Sequence, residues 1–189
     1  IVMDRNTNDE YYNWTNLITD DARLRMCIDI RKQVDAEKYS FDLPKYQVMS
    51  PFRYGTEDWT NLSMSFIWSC FAYCKREVKI TNLQSWSYMT SLKFPEDRDK
   101  LWHHHHRSDQ TLTVSGVYYL HLPEGVDTVT AGTEMAPEGP EADPSTRYFA
   151  EAKVGHWLIY PGKQWHRPGV FQSEEDRFIV AADMEFINQ

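Results

Sequence analysis

The change from helical to strand periodicity falls at SWSYMTSLKF, residues 85–94. From Ile80 onward, aromatic and apolar side chains alternate with small or polar ones, which is the two-residue period of a half-buried β-strand. Residues 112–122 read LTVSGVYYLHL, and this run of β-branched and aromatic residues favours a second strand. We therefore expect the chain from residue 80 onward to form an all-β core.

Shorter stretches with strand character follow, separated by clusters of glycine and proline. Further strands are predicted at residues 128–134, 147–153, 156–160 and 177–186. Residues 95–100 form a charged turn in this interpretation, and residues 101–106 are short and extended. The acidic, proline-rich residues 136–145 are predicted to form a mobile loop over one face.

The first part of the chain has helical periodicity. Residues 19–37 predict an amphipathic helix with Asp20 and Asp21 at its start, and residues 57–78 predict a second, more buried helix. Helices followed by many short strands predict an α+β fold whose β part is a sandwich or barrel. We expect one domain overall, with a helical segment at residues 1–79 packed on a β core at residues 80–189.

Composition narrows the function. The net charge is −8 and the 20 basic residues are scattered, which makes nucleic acid an unlikely partner. No apolar run is long enough to span a bilayer, so a membrane location is not expected. The three cysteines, Cys27, Cys70 and Cys74, are too few and odd in number for a disulfide framework, and they favour a reducing, cytoplasmic compartment.

Four consecutive histidines at residues 103–106 are the strongest functional signal. Side chains on a strand alternate between faces, so either His103 with His105 or His104 with His106 point to the same side. Two imidazoles at this spacing can bind one metal ion, and His166, after a later strand and turn, is a natural third ligand. A solvated surface run is the alternative interpretation. His121 and His156 are expected to be structural or exposed.

Several motifs in the last hundred residues occur in an order that resembles a known family. They are Ser-Gly-Val-Tyr-Tyr-Leu at 115–120, Ala-Gly-Thr-Glu at 131–134, Tyr-Pro at 160–161, Gln-Trp-His-Arg at 164–167 and Glu-Glu-Asp-Arg-Phe-Ile-Val at 174–180. Together they resemble the 2-oxoglutarate/Fe(II)-dependent oxygenases, in particular a bacterial and phage branch of prolyl-hydroxylase-like proteins. The resemblance implies a double-stranded β-helix (a jelly-roll or cupin-like barrel) for the β core.

The resemblance also implies cofactors and roles. Fe(II) would be the metal, and 2-oxoglutarate and O2 the cosubstrates of a dioxygenase that couples decarboxylation of 2-oxoglutarate to oxidation, such as hydroxylation, of another substrate. His166 would be the distal metal ligand, and Arg177 would bind the distal carboxylate of 2-oxoglutarate. A planar guanidinium suits that task, because it presents paired donors to a carboxylate. Tyr88 is a weaker candidate for a hydrogen bond to the same cosubstrate.

The sequence departs from the family pattern at the first pair of ligands. Most members carry His-x-Asp, whereas here the residue two positions on is another histidine, and Asp109 could reach the metal only through a bulge. We prefer His104 with His106, the pair nearest the turn toward Ser115, since it needs the smallest insertion relative to the family. The alternatives are His103 with His105, then His106 with Asp109. A three-histidine iron centre and a degenerate site are both compatible with this pattern.

Two other functional classes share these features. A cupin-like metalloprotein that does not use 2-oxoglutarate would share the histidine ligands but would not need Arg177. A non-catalytic β-barrel used as a binding module would bind metal weakly or not at all. The substrate that is oxidised and the oligomeric state are not encoded in any pattern of the sequence.

Overall fold

The structure is a computed structural model, and it describes residues 11–14, 17–37, 47–75, 78–92, 101–107 and 111–187. The helices are α1 (Asp20–Glu37) and α2 (Glu57–Cys74). The strands are β1 (Tyr11–Trp14), β2 (Gln47–Met49), β3 (Lys79–Thr90), β4 (Leu112–His121), β5 (Thr133–Ala136), β6 (Tyr148–Ala150), β7 (His156–Pro161), β8 (Trp165–Pro168) and β9 (Arg177–Ile187). The α+β class predicted from the sequence is confirmed.

Both helices begin where the sequence predicts. The Thr19 hydroxyl accepts a hydrogen bond from the backbone N–H of Ala22 (3.2 Å), which satisfies one of the free donors at the start of α1. The expected extension of α2 to residue 78 is wrong. The helix ends at Cys74 because Lys75 adopts a left-handed conformation (φ 56°), and its N–H bonds back to the carbonyls of Phe71 and Ala72.

The strands form two antiparallel sheets. The larger has the order β1-β7-β4-β9-β3-β2, and the smaller has the order β6-β5-β8. Two edge strands, β1 and β2, come from the part of the chain for which the sequence predicted helices alone. The N-terminal segment is thus joined to the β core by hydrogen-bonded pairing as well as by helix packing, and the division at residue 79 stays a prediction.

The larger sheet buries both of its faces. In β9 the even-numbered residues from Phe178 to Phe186 pack with the helices, and the odd-numbered residues Ile179, Ala181 and Asp183 face the space between the two sheets. Gly116 lies where α2 approaches β4, and a Cβ there would sit 2.8 Å from the ring of Phe66. The result is three layers, with helices on one side of the larger sheet and the smaller sheet on the other.

Some strand boundaries differ from the expectation. Residues 128–130 form a turn, so the strand predicted at 128–134 begins only at Thr133, and β8 was not predicted at all. The strand predicted at 147–153 is limited to Tyr148–Ala150. Residues 137–146 consist of turns and a short 3-10 helix at Pro144–Thr146, and the mobility predicted for this loop stays a prediction. Residues 93–100, which were assigned to a strand end and a turn, lie outside the described residues.

Within the described part of the chain, neither helix has the length and apolar character needed to cross a bilayer.

Candidate metal centre

The histidine run lies beside the distal histidine through backbone pairing. The N–H of His103 donates to the carbonyl of His166 (3.2 Å), and the N–H of His166 donates to the carbonyl of His103 (3.0 Å). Residues directly opposite in an antiparallel pair project to the same face, so both side chains point between the sheets. His105, two positions further on, points the same way, and the ligand atoms of the three imidazoles all lie within 4.8 Å of one another.

The hydrogen bonds of the three rings fix their tautomers. Each Nδ1 faces an acceptor: His103 faces the carbonyl of Leu101 (2.5 Å), His105 faces Oδ1 of Asp183 (2.6 Å), and His166 faces the carbonyl of Gln164 (2.9 Å). A carbonyl or an ionised carboxylate can only accept, so Nδ1 carries a proton in each ring, and Nε2 is the nitrogen left to face a metal ion. Anchoring one ring nitrogen in this way is the usual arrangement of histidines that bind a metal through the other.

The surroundings keep at least two of the rings uncharged. Burial, together with the neighbouring His103 and His105, holds the pKa of His166 well below its usual 6.5. Burial also lowers the pKa of His103. Neutral imidazole is the form that binds metal ions. At neutral pH the cluster therefore offers unprotonated nitrogen ligands to a cation.

A carboxylate stands directly behind the cluster. Asp183 is 1% exposed, and its Oδ1 accepts hydrogen bonds from His105 and from the hydroxyl of Ser115 (2.8 Å). Its second oxygen, Oδ2, has no hydrogen-bond partner among the described residues. A buried carboxylate is stabilised when a cation lies nearby. Three imidazoles with a carboxylate behind them fit a divalent ion such as Fe(II).

A largely apolar cavity opens in front of the three histidines. Its wall is built from the inner faces of both sheets and from the segment that carries the histidine run. Its apolar and aromatic lining comprises Trp86, Tyr88, Leu101, Val117, Tyr160, Pro168, Ile179 and Ala181. The ring of Tyr160 lies 4.8 Å from that of His166, centre to centre, and burial raises the pKa of its hydroxyl well above the usual value. The chamber therefore presents a mostly apolar wall on one side of the candidate centre.

The two residues proposed for 2-oxoglutarate lie on adjacent strands. Tyr88 lines the cavity, and its backbone pairs with Ile179, two residues from Arg177. Arg177 is 1% exposed and lies on the inner face of β9, where its guanidinium donates to the hydroxyl of Thr90 (3.1 Å) and the carbonyl of Ala131 (2.8 Å). The neighbouring Asp176 pairs with Arg31 (2.8 Å). Arg177 is thus held at the inner face rather than on the surface.

The preferred histidine register differs from the structure. His104 is exposed and packs edge-on against Trp165, with ring centres 4.5 Å apart, and His106 is exposed as well. Neither belongs to the cluster; His103 and His105, the second choice, take those places with His166. The preference for the smallest insertion took no account of the pairing of residue 103 with residue 166, and this pairing determines which histidines face the space between the sheets. Asp109 lies outside the described residues.

Two other histidines have the placement expected of them. His121 is exposed and His156 is half-buried, and neither belongs to the cluster. Asp183, in contrast, was missed by sequence reasoning. Its signal was available, because it stands alone as a carboxylate within the buried run Phe178–Met184.

Comparison with known proteins identifies the class. A family model for the 2OG-Fe(II) oxygenases matches residues 84–183, more than half of the 189 residues. The chain belongs to this family of 2-oxoglutarate-dependent Fe(II) oxygenases. It is therefore an oxidoreductase that uses Fe(II), 2-oxoglutarate and O2, and the two rival classes considered above are set aside. No curated protein matches the sequence.

Solved structures share the fold at low sequence identity. AviO1 from Streptomyces viridochromogenes Tue57 superposes with a TM-score of 0.62 at 11% identity, covering 93% of this chain and 89% of that one. A Pseudomonas putida prolyl-4-hydroxylase gives 0.59 at 14% identity and 95% coverage of both chains. The epimerase SnoN, solved with Fe3+, alpha ketoglutarate and nogalamycin RO, gives 0.61 at 10% identity, covering 94% of this chain and 79% of that one. The double-stranded β-helix expected for the core is confirmed.

Proposed function

We propose that His103, His105 and His166 bind the Fe(II) ion of this oxygenase as three neutral imidazole ligands. The observation that carries the proposal is the convergence of three ring nitrogens within 4.8 Å, each ring anchored through Nδ1. Bound Fe(II) supplies the redox chemistry that couples decarboxylation of 2-oxoglutarate to oxidation of a second substrate. The protein supplies the ligand geometry and a largely apolar chamber.

Arg177 is the proposed anchor of 2-oxoglutarate. It shares the inner face of β9 with Ile179 and Ala181, two residues of the cavity wall, and its bonds to Thr90 and Ala131 hold the guanidinium in a fixed orientation. A buried guanidinium binds a carboxylate through charge-assisted hydrogen bonds. The hydroxyl of Tyr88, on the adjacent strand, is proposed as a further hydrogen-bond partner of the cosubstrate.

The prime substrate is proposed to be a molecule whose reacting C–H group enters an apolar, aromatic chamber. Trp86 and Leu101 line the cavity beside the histidines, and these side chains offer contact area rather than charge. A nucleic-acid substrate is disfavoured by the net charge of −8. The three cysteines are free and buried, which is in keeping with a cytoplasmic location.

The test is stoichiometric metal and cosubstrate binding under anaerobic conditions. Wild-type protein should bind one Fe(II) per chain, and addition of 2-oxoglutarate should produce the visible charge-transfer band of an Fe(II) chelate. Alanine substitution of His103, His105 or His166 should abolish stoichiometric binding. Alanine substitution of His104 or His106, neighbours in the same segment, should leave it unchanged.

The pattern of losses decides the ligand set. Unchanged iron content in His166→Ala would refute the proposed centre. Losses at His104 and His106, with His103 and His105 mild, would show that the segment binds in the other register. Normal iron binding without any effect of 2-oxoglutarate would refute the assignment of the cavity to that cosubstrate.

A further inference from the structure

The buried carboxylate of Asp183 has an unusual set of partners. It accepts one hydrogen bond from Nδ1 of His105 and one from the hydroxyl of Ser115. Both are made to the same oxygen, Oδ1. Oδ2 is left without a partner among the described residues, and no Lys or Arg of that part of the chain forms an ion pair with Asp183. The carboxylate is therefore buried with no lysine or arginine of the described chain against it.

Burial of an ionised carboxylate opposes folding of the metal-free protein. Water would solvate both oxygens of the carboxylate, and the interior gives hydrogen bonds to one of them only. The same charge favours a cation placed at the three imidazoles, because the carboxylate lies behind His105 and is hydrogen-bonded to Nδ1 of that ring. The carboxylate thus has opposite effects on the metal-free and the metal-bound protein.

We propose that Asp183 is a positioning residue that supplies, through His105, the negative charge that the three-histidine centre lacks. Iron oxygenases of this kind commonly bind the ion with two histidines and one carboxylate, which places the anion on the metal. Here all three proposed ligands are imidazoles, and the carboxylate acts from behind one of them. The inference rests on the proposed function, since it assumes that the histidine cluster binds the metal.

The bond to Asp183 has two consequences for His105. It holds the imidazole plane so that Nε2 faces the cluster, and it raises the electron density that Nε2 offers to a cation. Ser115 supports this arrangement from β4, because its hydroxyl bonds to the same Oδ1 (2.8 Å) and lies 3.3 Å from Nδ1 of His105. The two partners that orient His105 thus lie on two strands of the larger sheet, β4 and β9.

The test compares Asp183→Asn with wild type in two measurements. The first is thermal unfolding of metal-free protein in chelator, and the second is titration with Co(II) and, anaerobically, with Fe(II). Asparagine keeps the size of the side chain and an oxygen to accept from His105, but it removes the charge. We expect unfolding temperature to stay equal or rise, while metal affinity falls about 10- to 100-fold and the visible Co(II) spectrum changes.

Two matched variants isolate the effect. Glu185→Gln removes a carboxylate two residues further along β9, one that pairs with Arg107 (3.5 Å) and not with the histidines, and should leave the metal affinity within about threefold of wild type. Ser115→Ala removes the second donor while leaving the charge and the bond to His105, and should reduce affinity less than Asp183→Asn does.

The outcomes separate the inference from the proposed function. Metal binding by wild type, together with equal affinity in Asp183→Asn, overturns the inference and leaves the histidine centre standing. A marked drop in the stability of metal-free Asp183→Asn, or its failure to fold, also overturns the inference, because it assigns Asp183 a structural role. Failure of wild type itself to bind either ion overturns both.

Discussion

Lowering the pH should destabilise the metal-free protein through His166. Because burial holds its pKa well below the usual 6.5, the folded state leaves this ring neutral while the unfolded chain takes up a proton. Below about pH 6.5 the unfolded state binds more protons than the folded state. The contribution of the neutral ring to the free energy of unfolding is therefore present above pH 6.5 and is lost as the pH falls below it. Between pH 6.5 and 5.5, one such histidine costs about 1 kcal/mol. The lowered pKa of His103 adds to the loss in the same direction.

A loss of this size is measurable by thermal unfolding. For a chain of 189 residues, 1 kcal/mol corresponds to about 2–4 °C in Tm. The assay is thermal unfolding in the presence of a chelator, followed by circular dichroism at several pH values between about 7.5 and 5.5. His166→Gln stays neutral throughout and should have a flatter Tm profile, and His121→Gln, which alters an exposed ring, should keep the wild-type slope. Equal slopes in wild type and His166→Gln would refute the assignment of a buried neutral ring.

Three further predictions concern cosubstrate, packing and reactivity. Arg177→Ala should bind Fe(II) normally yet weaken 2-oxoglutarate binding by on the order of 2–5 kcal/mol, measured by calorimetry, and equal affinity would exclude Arg177 as the anchor. Gly116→Ala should lower the free energy of unfolding by about 1–3 kcal/mol in denaturant titrations, because its Cβ would lie 2.8 Å from Phe66 and 2.9 Å from Ile159; an unchanged midpoint would contradict this packing. Cys27, whose thiol pKa burial raises to about 12, should react with iodoacetamide only after unfolding, and rapid labelling of native protein would count against its burial.

Most of the fold could be predicted from local sequence patterns. The two-residue period from Ile80 and the apolar content of residues 112–122 located β3 and β4, and the helical pattern located α1 and α2. The short strands β1 and β2 were not predicted, since four and three residues are too few to show a period. Their pairing with β7 and β3 depends on partners far away in the chain.

The candidate site, like the fold, could be predicted from the sequence only in part. His166 and the histidine run could be found in the sequence, because histidines two residues apart with a distant third have a chemical meaning of their own. Which two of the four face inward could not be found, since it depends on the bridge between residues 103 and 166. Asp183 lies 78 positions from His105, and their contact depends on the fold, which brings the histidine run against β9 through the bridge to His166.

The two-sided burial of β9 has a consequence for how this oxygenase can change its substrate during evolution. Val180 and Ala182 pack with the helices, while Ile179, Ala181 and Asp183 face the chamber, so a substitution on either side that displaces the strand disturbs the other. New specificities should therefore arise at cavity residues outside the regular strands, such as Leu101, which can vary without displacing β9. A library confined to such positions should keep more of its members folded than a library of equal size on β9.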